Sequence, residues 1–312
     1  MQKPSILFMG TPEFAVPSLK ILIDHQMPLV GVVTQPDRPK GRGRQLAPTP
    51  VKILAEAHGL SVLQPEKIRD EAFLHVFRDL APELVVVAAF GQILPGEMIS
   101  RPRLGCINVH PSLLPKYRGA APIQRSLING DETTGMTIMM MDEGVDSGDI
   151  LLQEPVPIDP EDNFGSLHDR LAQIGARMLY RTIGMIIDQS VRPIRQNHAA
   201  ATLAPRIKKE DCLIDWGRSV KDVLSLIRGL SPDPGAYTFL GGKKMKIYTA
   251  RGEASPSSPA PGTVSTPTTG ELAVAVADGF IYLLDIQMEN KNRMPVRDFL
   301  RGYRIGSETT LG

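Results

Sequence analysis

The chain has 312 residues, enough for two domains of ordinary size, and a hydrophobic share of 42% that fits globular packing rather than disorder. A formal net charge of +1 names no partner, and the two cysteines, Cys106 and Cys212, form no CxxC or Cys/His cluster, which argues against a zinc site or a disulfide framework. No apolar run approaches the length of a membrane span, and the first residues lack the basic, apolar, small-residue order of a signal peptide, so a soluble cytoplasmic protein is expected.

Charge is uneven along the chain. Residues 206–312 carry a net +3 and those before them a net −2, a mild asymmetry that favours a polyanionic partner for the C-terminal part.

Residues 5–10, Ser-Ile-Leu-Phe-Met-Gly, form a short apolar run of the kind that makes a buried parallel strand. Thr11 and Pro12 then read as a helix start, with a capping hydroxyl and a proline at the first helical position, and Leu19, Leu22 and Ile23 continue one apolar face. Residues 29–34, 84–89 and 106–110 read as further buried strands, with helices at 50–59 and 66–80 between them. This alternation predicts a doubly wound, Rossmann-like and mostly parallel sheet. Residues 134–141 and 150–158 are two more strand candidates around the turn-rich segment 142–149. Residues 163–188 have helical periodicity through Leu167, Leu171, Ile174, Met178, Leu179 and Ile183.

Residues 190–208 have little periodicity and read as a linker, dividing a first domain at 1–189 from a second at 209–312. The second has one helix candidate at 220–228. Short strands follow near 236–240, 244–250, 262–265, 272–276 and 280–286, the pattern of a small OB-like β-barrel. The Ser/Pro/Thr-rich stretch 255–269 reads as a loop within it.

Three polar residues stand where a doubly wound fold gathers its chemistry. Asn108 and His110 lie at the carboxyl end of the 106–110 strand, on one face by period-two alternation, and ligands of open α/β sheets bind outside that end. Asp146 lies in a Gly-rich turn that can return to the same edge. An imidazole can take the proton of an attacking amine, a carboxylate can orient the imidazole, and an amide N–H can hydrogen-bond a tetrahedral oxyanion. The group suits acyl transfer to an amine, with neither a metal nor a covalent nucleophile required. A lone histidine at a strand end is nevertheless more often structural, and Asn and Asp in loops usually make turns. Sequence chemistry alone therefore does not require the three to meet.

The run Asn108-Val109-His110-Pro111-Ser112-Leu113-Leu114-Pro115-Lys116-Tyr117-Arg118-Gly119 resembles the signature of the 10-formyltetrahydrofolate-dependent formyltransferases. The resemblance implies that Asn108, His110 and Asp146 carry formyl transfer from 10-formyltetrahydrofolate, and that Ser112, Leu113, Leu114 and Pro115 lie beside the folate. Among that family's members, three features resemble those that act on methionyl-tRNA: the opening residues 8–17, the basic segment 34–44 and the C-terminal β region. On that footing the expected acceptor is the α-amino group of methionine on an initiator tRNA, the expected assembly a monomer, and no membrane is involved.

The basic segment also has a reading of its own. Arg38, Lys40, Arg42 and Arg44 stand against Asp37 alone, with glycines between, as in a flexible cationic loop suited to phosphates and to the unpaired end of an RNA stem. Lys208 and Lys209 can add a second contact, and Phe14 can line a pocket for the methionine side chain. Three competing readings have discriminators. A nucleotide-sugar formyltransferase has little use for four cations on one loop. A dinucleotide oxidoreductase would need a G-x-G-x-x-G that Gly10-Thr11-Pro12-Glu13-Phe14-Ala15 lacks. A non-catalytic RNA-binding protein would not depend on His110.

Overall fold

The computed structural model describes residues 3–40, 45–257, 259–306 and 309–312. In chain order the elements are β1 (Ile6–Gly10), α1 (Val16–Asp24), β2 (Leu29–Val33), β3 (Arg38–Lys40), β4 (Gln45–Ala47), α2 (Pro50–Ala57), β5 (Val62–Leu63), α3 (Glu71–Leu80), β6 (Leu84–Ala88), α4 (Gly96–Ser100), β7 (Cys106–His110), α5 (Pro122–Ile128), β8 (Thr133–Met140), β9 (Ile150–Pro157) and α6 (Phe164–Ile187). They continue with α7 (Val220–Leu230), β10 (Ala236–Leu240), β11 (Lys243–Ala254), β12 (Val264–Ser265), β13 (Leu272–Val276), β14 (Gly279–Met288), β15 (Met294–Pro295) and α8 (Val296–Gly302). These form two compact units, one of residues 1–119, 134–156 and 168–203, the other of residues 120–133, 157–167 and 204–312.

The first unit is built on a seven-stranded sheet of order β5-β2-β1-β6-β7-β8-β9. Pairing is parallel from β5 through β7, and β8 joins β7 antiparallel. The sheet is thus doubly wound and mostly parallel, as the strand–helix alternation predicts. Strands covered on both faces must be apolar throughout, and every residue of β1 and β6 is buried. On one face Leu7, Met9, Val85 and Val87 pack with Phe73 and Phe77 of α3. Each such side chain contributes about 1.5–3 kcal/mol by leaving water. The order reverses direction at β1, so the carboxyl ends of β1, β6 and β7 open beside a topological switch point.

Two local expectations are corrected. Thr11 does not cap a helix: its hydroxyl donates to the Phe90 carbonyl at 2.9 Å, and a short 3-10 turn, Glu13–Ala15, precedes α1. The basic segment, read as a flexible loop, begins as a strand, because β3 pairs with β4 in an antiparallel hairpin, Arg38 opposite Ala47 and Lys40 opposite Gln45.

The second unit holds α7 and an antiparallel sheet of order β10-β11-β14-β13-β12, with β15 added to β14. The β11–β14 register shifts between Ile247 and Ala250, which curls the sheet. Its two outer strands are linked by the chain's last residues: Leu311 bridges Leu240 of β10, and Thr310 bridges Thr263 just before β12. The result is a curled half-barrel consistent with a small OB-like domain. Ser219 caps α7 by accepting from Asp222 N, and Trp216 is held in the core by its indole N–H donating to Thr238 Oγ1 at 3.1 Å.

Candidate active site

β7 carries Asn108 and His110 toward one face, and its neighbours fix their height: Asn108 lies opposite Val87 and Met139, and His110 opposite Thr137. Asp146 belongs to the turn between β8 and β9. Its backbone adopts φ 47°, a left-handed conformation that aspartate tolerates better than bulky residues. The turn brings the three side chains together. Asn108 Nδ2 donates to Asp146 Oδ1 at 3.4 Å, the main-chain N–H of Gly119 donates to Asp146 Oδ2 at 2.8 Å, and His110 Nδ1 lies 3.6 Å from that same oxygen.

The imidazole is oriented from its other side. His110 Nε2 sits 3.0 Å from the Tyr117 carbonyl oxygen. A carbonyl only accepts, so this partner assigns the ring hydrogen to Nε2 and leaves Nδ1 facing the carboxylate. Nδ1 is therefore the nitrogen available for proton exchange, beside a carboxylate that two N–H groups hold in place. His110 is only 4% exposed, so bulk water competes little for its Nδ1.

The segment expected beside folate follows β7 directly. Ser112 and Leu114 point inward and are buried, whereas Leu113 and Pro115 are half-buried. The Ser112 hydroxyl donates to the Lys116 carbonyl at 2.6 Å, and the Ser112 carbonyl accepts from Thr137 Oγ1 at 2.6 Å. Thr137 Oγ1 also accepts from Leu114 N at 3.3 Å and from Gln153 Nε2 at 2.9 Å, and Gln153 donates to the Leu114 carbonyl at 3.0 Å. Leu113 and Pro115 are thus the side chains with surface left to offer, on a main chain fixed from below.

The expected cationic residues divide. Arg38 is exposed and lies 3.6 Å from Glu66. Lys40 is placed as backbone in β3, whereas Arg42 and Arg44 lie outside the described residues. Asp37, the single acid of that segment, has partners outside it: Lys52 Nζ and Gln64 Nε2, each at 2.7 Å, bind its carboxyl and hold it below its ordinary pKa. Lys208 and Lys209 are exposed in the second unit. There Lys244 has its pKa lowered, first by burial and then by the neighbouring charges of Lys209 and Lys246, so Lys209 of the expected pair has two further lysines near it. Phe14 is 4% exposed, with its ring edge-on to His168 at 5.4 Å between centroids.

Several supporting residues escape a sequence reading. Thr137 and Gln153 sit in strands with no motif around them. Gln196 lies in the segment read as a linker, and Arg118, at the end of the signature, gives no local sign of what its guanidinium binds. Their partners stand 16 to 80 positions away, and no spacing rule reaches that far.

The chain matches two family models, "Formyl transferase" over residues 3–183 and "Formyl transferase, C-terminal domain" over residues 206–304. It is 54% identical over 312 residues, the full length of both chains, to a methionyl-tRNA formyltransferase of Syntrophus aciditrophicus (strain SB). It is 49% identical, over 98% of each chain, to the methionyl-tRNA formyltransferase of Geotalea daltonii. Among solved structures, its fold resembles WlaRD, a sugar 3N-formyl transferase, with a TM-score of 0.67 and 18% identity over 94% of this chain and 100% of that one. It also resembles HypX from Aquifex aeolicus in complex with tetrahydrofolic acid, with a TM-score of 0.65 and 16% identity over 96% of this chain and 47% of that one.

Proposed function

We propose, given that the chain belongs to the formyl transferase family, that it transfers the formyl group of 10-formyltetrahydrofolate to the α-amino group of methionine on initiator Met-tRNA, giving formylmethionyl-tRNA for translation initiation. The observation that carries this reading is the meeting of Asn108, His110 and Asp146 in a chain 54% identical, end to end, to a methionyl-tRNA formyltransferase.

Asn108, His110 and Asp146 are the catalytic residues. The neutral amine attacks the formyl carbon, so an N–C bond forms and the formyl oxygen becomes an oxyanion. Asn108 has a second N–H to offer that oxygen, and a donor so placed is worth roughly 3–4 kcal/mol in systems where one was removed. His110 Nδ1, which faces the Asp146 carboxylate, takes the amine's proton. The bond from the formyl carbon to N10 then breaks, and the proton passes to N10. Ser112, Leu113, Leu114 and Pro115 form the wall beside the folate.

Residues 1–189 carry out the transfer, and residues 209–312, reached through the linker 190–208, bind tRNA together with the basic segment. Arg38, Lys40, Arg42 and Arg44 hold the acceptor end, and Lys208 and Lys209, with Lys244 and Lys246, hold phosphates further along. Phe14 bounds the methionine pocket. The protein acts as a cytoplasmic monomer; among the described residues no helix is long and apolar enough to cross a membrane.

The test is transfer of labelled formyl from 10-formyltetrahydrofolate to charged initiator tRNA, charged elongator tRNA and UDP-4-amino-4-deoxy-L-arabinose. The initiator should be formylated far faster than the other two. Formylation of the sugar with Met-tRNA untouched would overturn the reading, as would full transfer by the His110→Ala variant.

A further inference from the structure

We propose that Gln196 is the positioning residue of the transfer site, its buried carboxamide fixing the main chain that carries Asp146. The proposal rests on the reading of Asp146 as catalytic. Gln196 is 4% exposed. Its Nε2 donates to two carbonyls of one turn, Asp146 O at 2.9 Å and Gly148 O at 2.7 Å. Its Oε1 accepts from Arg118 Nε at 3.1 Å and Nη2 at 2.6 Å. An amide has two donors and two acceptor lone pairs, so this one is fully used.

The arrangement does more than satisfy a buried group. Asp146 holds a left-handed backbone, a state that persists in a non-glycine residue where surrounding bonds impose it. A single NH2 that binds carbonyls two residues apart keeps the turn compact. Arg118 completes a loop of contacts. Its guanidinium, 9% exposed, grips Gln196 and donates through Nη2 to His198 Nδ1 at 3.2 Å. The next residue, Gly119, donates its main-chain N–H to the Asp146 carboxylate. The Asp146 backbone and the Asp146 carboxylate are thereby referred to one segment, 118–119. Loss of Gln196 frees the backbone while Gly119 and Asn108 still bind the carboxylate, so the carboxylate stays near the site but loses its fixed aim at His110.

The test uses the full-length protein with Gln196→Glu and Gln196→Met. Glutamate keeps the size and the Arg118 pairing but turns an acceptor toward the two carbonyls, and methionine removes the donors without adding charge. A displacement of about 1 Å in a reacting group can cost a factor near 100 in rate. Turnover per folate-binding site, counted with 5-formyltetrahydrofolate, should therefore fall about 100-fold in either variant, with KM for Met-tRNA within about threefold of wild type. On an Asp146→Asn background, Gln196→Met should lower kcat less than threefold further, because both changes act through one group. Wild-type turnover per site in the variants, or full additivity with Asp146→Asn, would overturn the role of Gln196. Wild-type turnover in Asp146→Asn alone would instead overturn the catalytic reading beneath it. If the glutamate variant fails to fold, the methionine variant decides.

Discussion

Thr137 offers a quantitative test of how the wall proposed to lie beside the folate is held. Its hydroxyl is fully buried and serves three partners: it donates to Ser112 O at 2.6 Å and accepts from Gln153 Nε2 at 2.9 Å and Leu114 N at 3.3 Å. Thr137→Val keeps the shape and removes the hydroxyl. Gln153 retains the Leu114 carbonyl, but Ser112 O and Leu114 N lose these bonds. A buried polar group left unpaired costs about 1–3 kcal/mol. The short Ser112 bond should count in full and the long Leu114 bond near the lower end, for about 2–4 kcal/mol together. The added methyl returns at most about 0.8 kcal/mol. The net expectation is a loss of roughly 1–3 kcal/mol in urea unfolding followed by far-UV circular dichroism, with weaker binding of 5-formyltetrahydrofolate. Thr137→Ser, which keeps the hydroxyl, should bind the folate like wild type. A valine variant within about 0.5 kcal/mol of wild type and with unchanged folate affinity would refute the reasoning.

The same wall can be pushed from another side, because a Cβ on Gly135 would run into the Leu113 side chain and the Glu154 carbonyl. Gly135→Ala should cost about 1–3 kcal/mol and weaken 5-formyltetrahydrofolate binding, measured by calorimetry. Asp37 gives a pH signature. Its carboxyl is held low, first by the Lys52 hydrogen bond and then by that of Gln64. For a lowered carboxyl, the stability it adds is fully present above its ordinary value of 3.8 and disappears as the pH falls through the lower value it has in the fold. The Tm gap between wild type and Asp37→Asn should accordingly stay constant above about pH 5 and close in stronger acid; a gap independent of pH would exclude the pair's contribution. Arg42→Ala should raise KM for Met-tRNA most at low salt, with the gap to wild type narrowing as salt increases, and leave kcat near wild type; a salt-independent effect would count against a phosphate contact.

Elements that bury an apolar face were legible because burial writes itself into residue type. β7, β10 and β13 fall where their apolar runs place them, and α6 buries Leu167, Leu171, Met178, Leu179 and Ile183 at helical spacing. The β3–β4 hairpin was not legible, since Arg-Pro-Lys and Gln-Leu-Ala carry no apolar alternation. Thr11-Pro12 imitates a cap, but the hydroxyl finds a carbonyl 79 residues away, and α1 begins later. The candidate site divides in the same way. Asn108 and His110 share a strand face, which alternation reveals, whereas the approach of Asp146 depends on a turn whose tie, Gln196, lies 50 residues further on in a segment with no pattern.

That division bears on how chemistry and acceptor choice separate in this molecule. Four of the groups that aim the candidate trio belong to the main chain: the Tyr117 carbonyl for His110, the Gly119 N–H for the Asp146 carboxylate, and the Asp146 and Gly148 carbonyls for Gln196. Main-chain groups do not change with side-chain identity, so a site aimed by them survives extensive substitution around it as long as the turns keep their shape. Recognition of a polyanion works the other way. It depends on the number of cationic side chains and on what neutralises them, and here the one acid of the basic segment is paired with Lys52. Loss of one such cation should therefore change binding and its salt dependence, whereas loss of a turn-holding amide should change turnover. If Arg42→Ala and Gln196→Met altered the same kinetic constant to the same extent, the two layers would be one, and the assignment of tRNA recognition to the basic segment would have to be withdrawn.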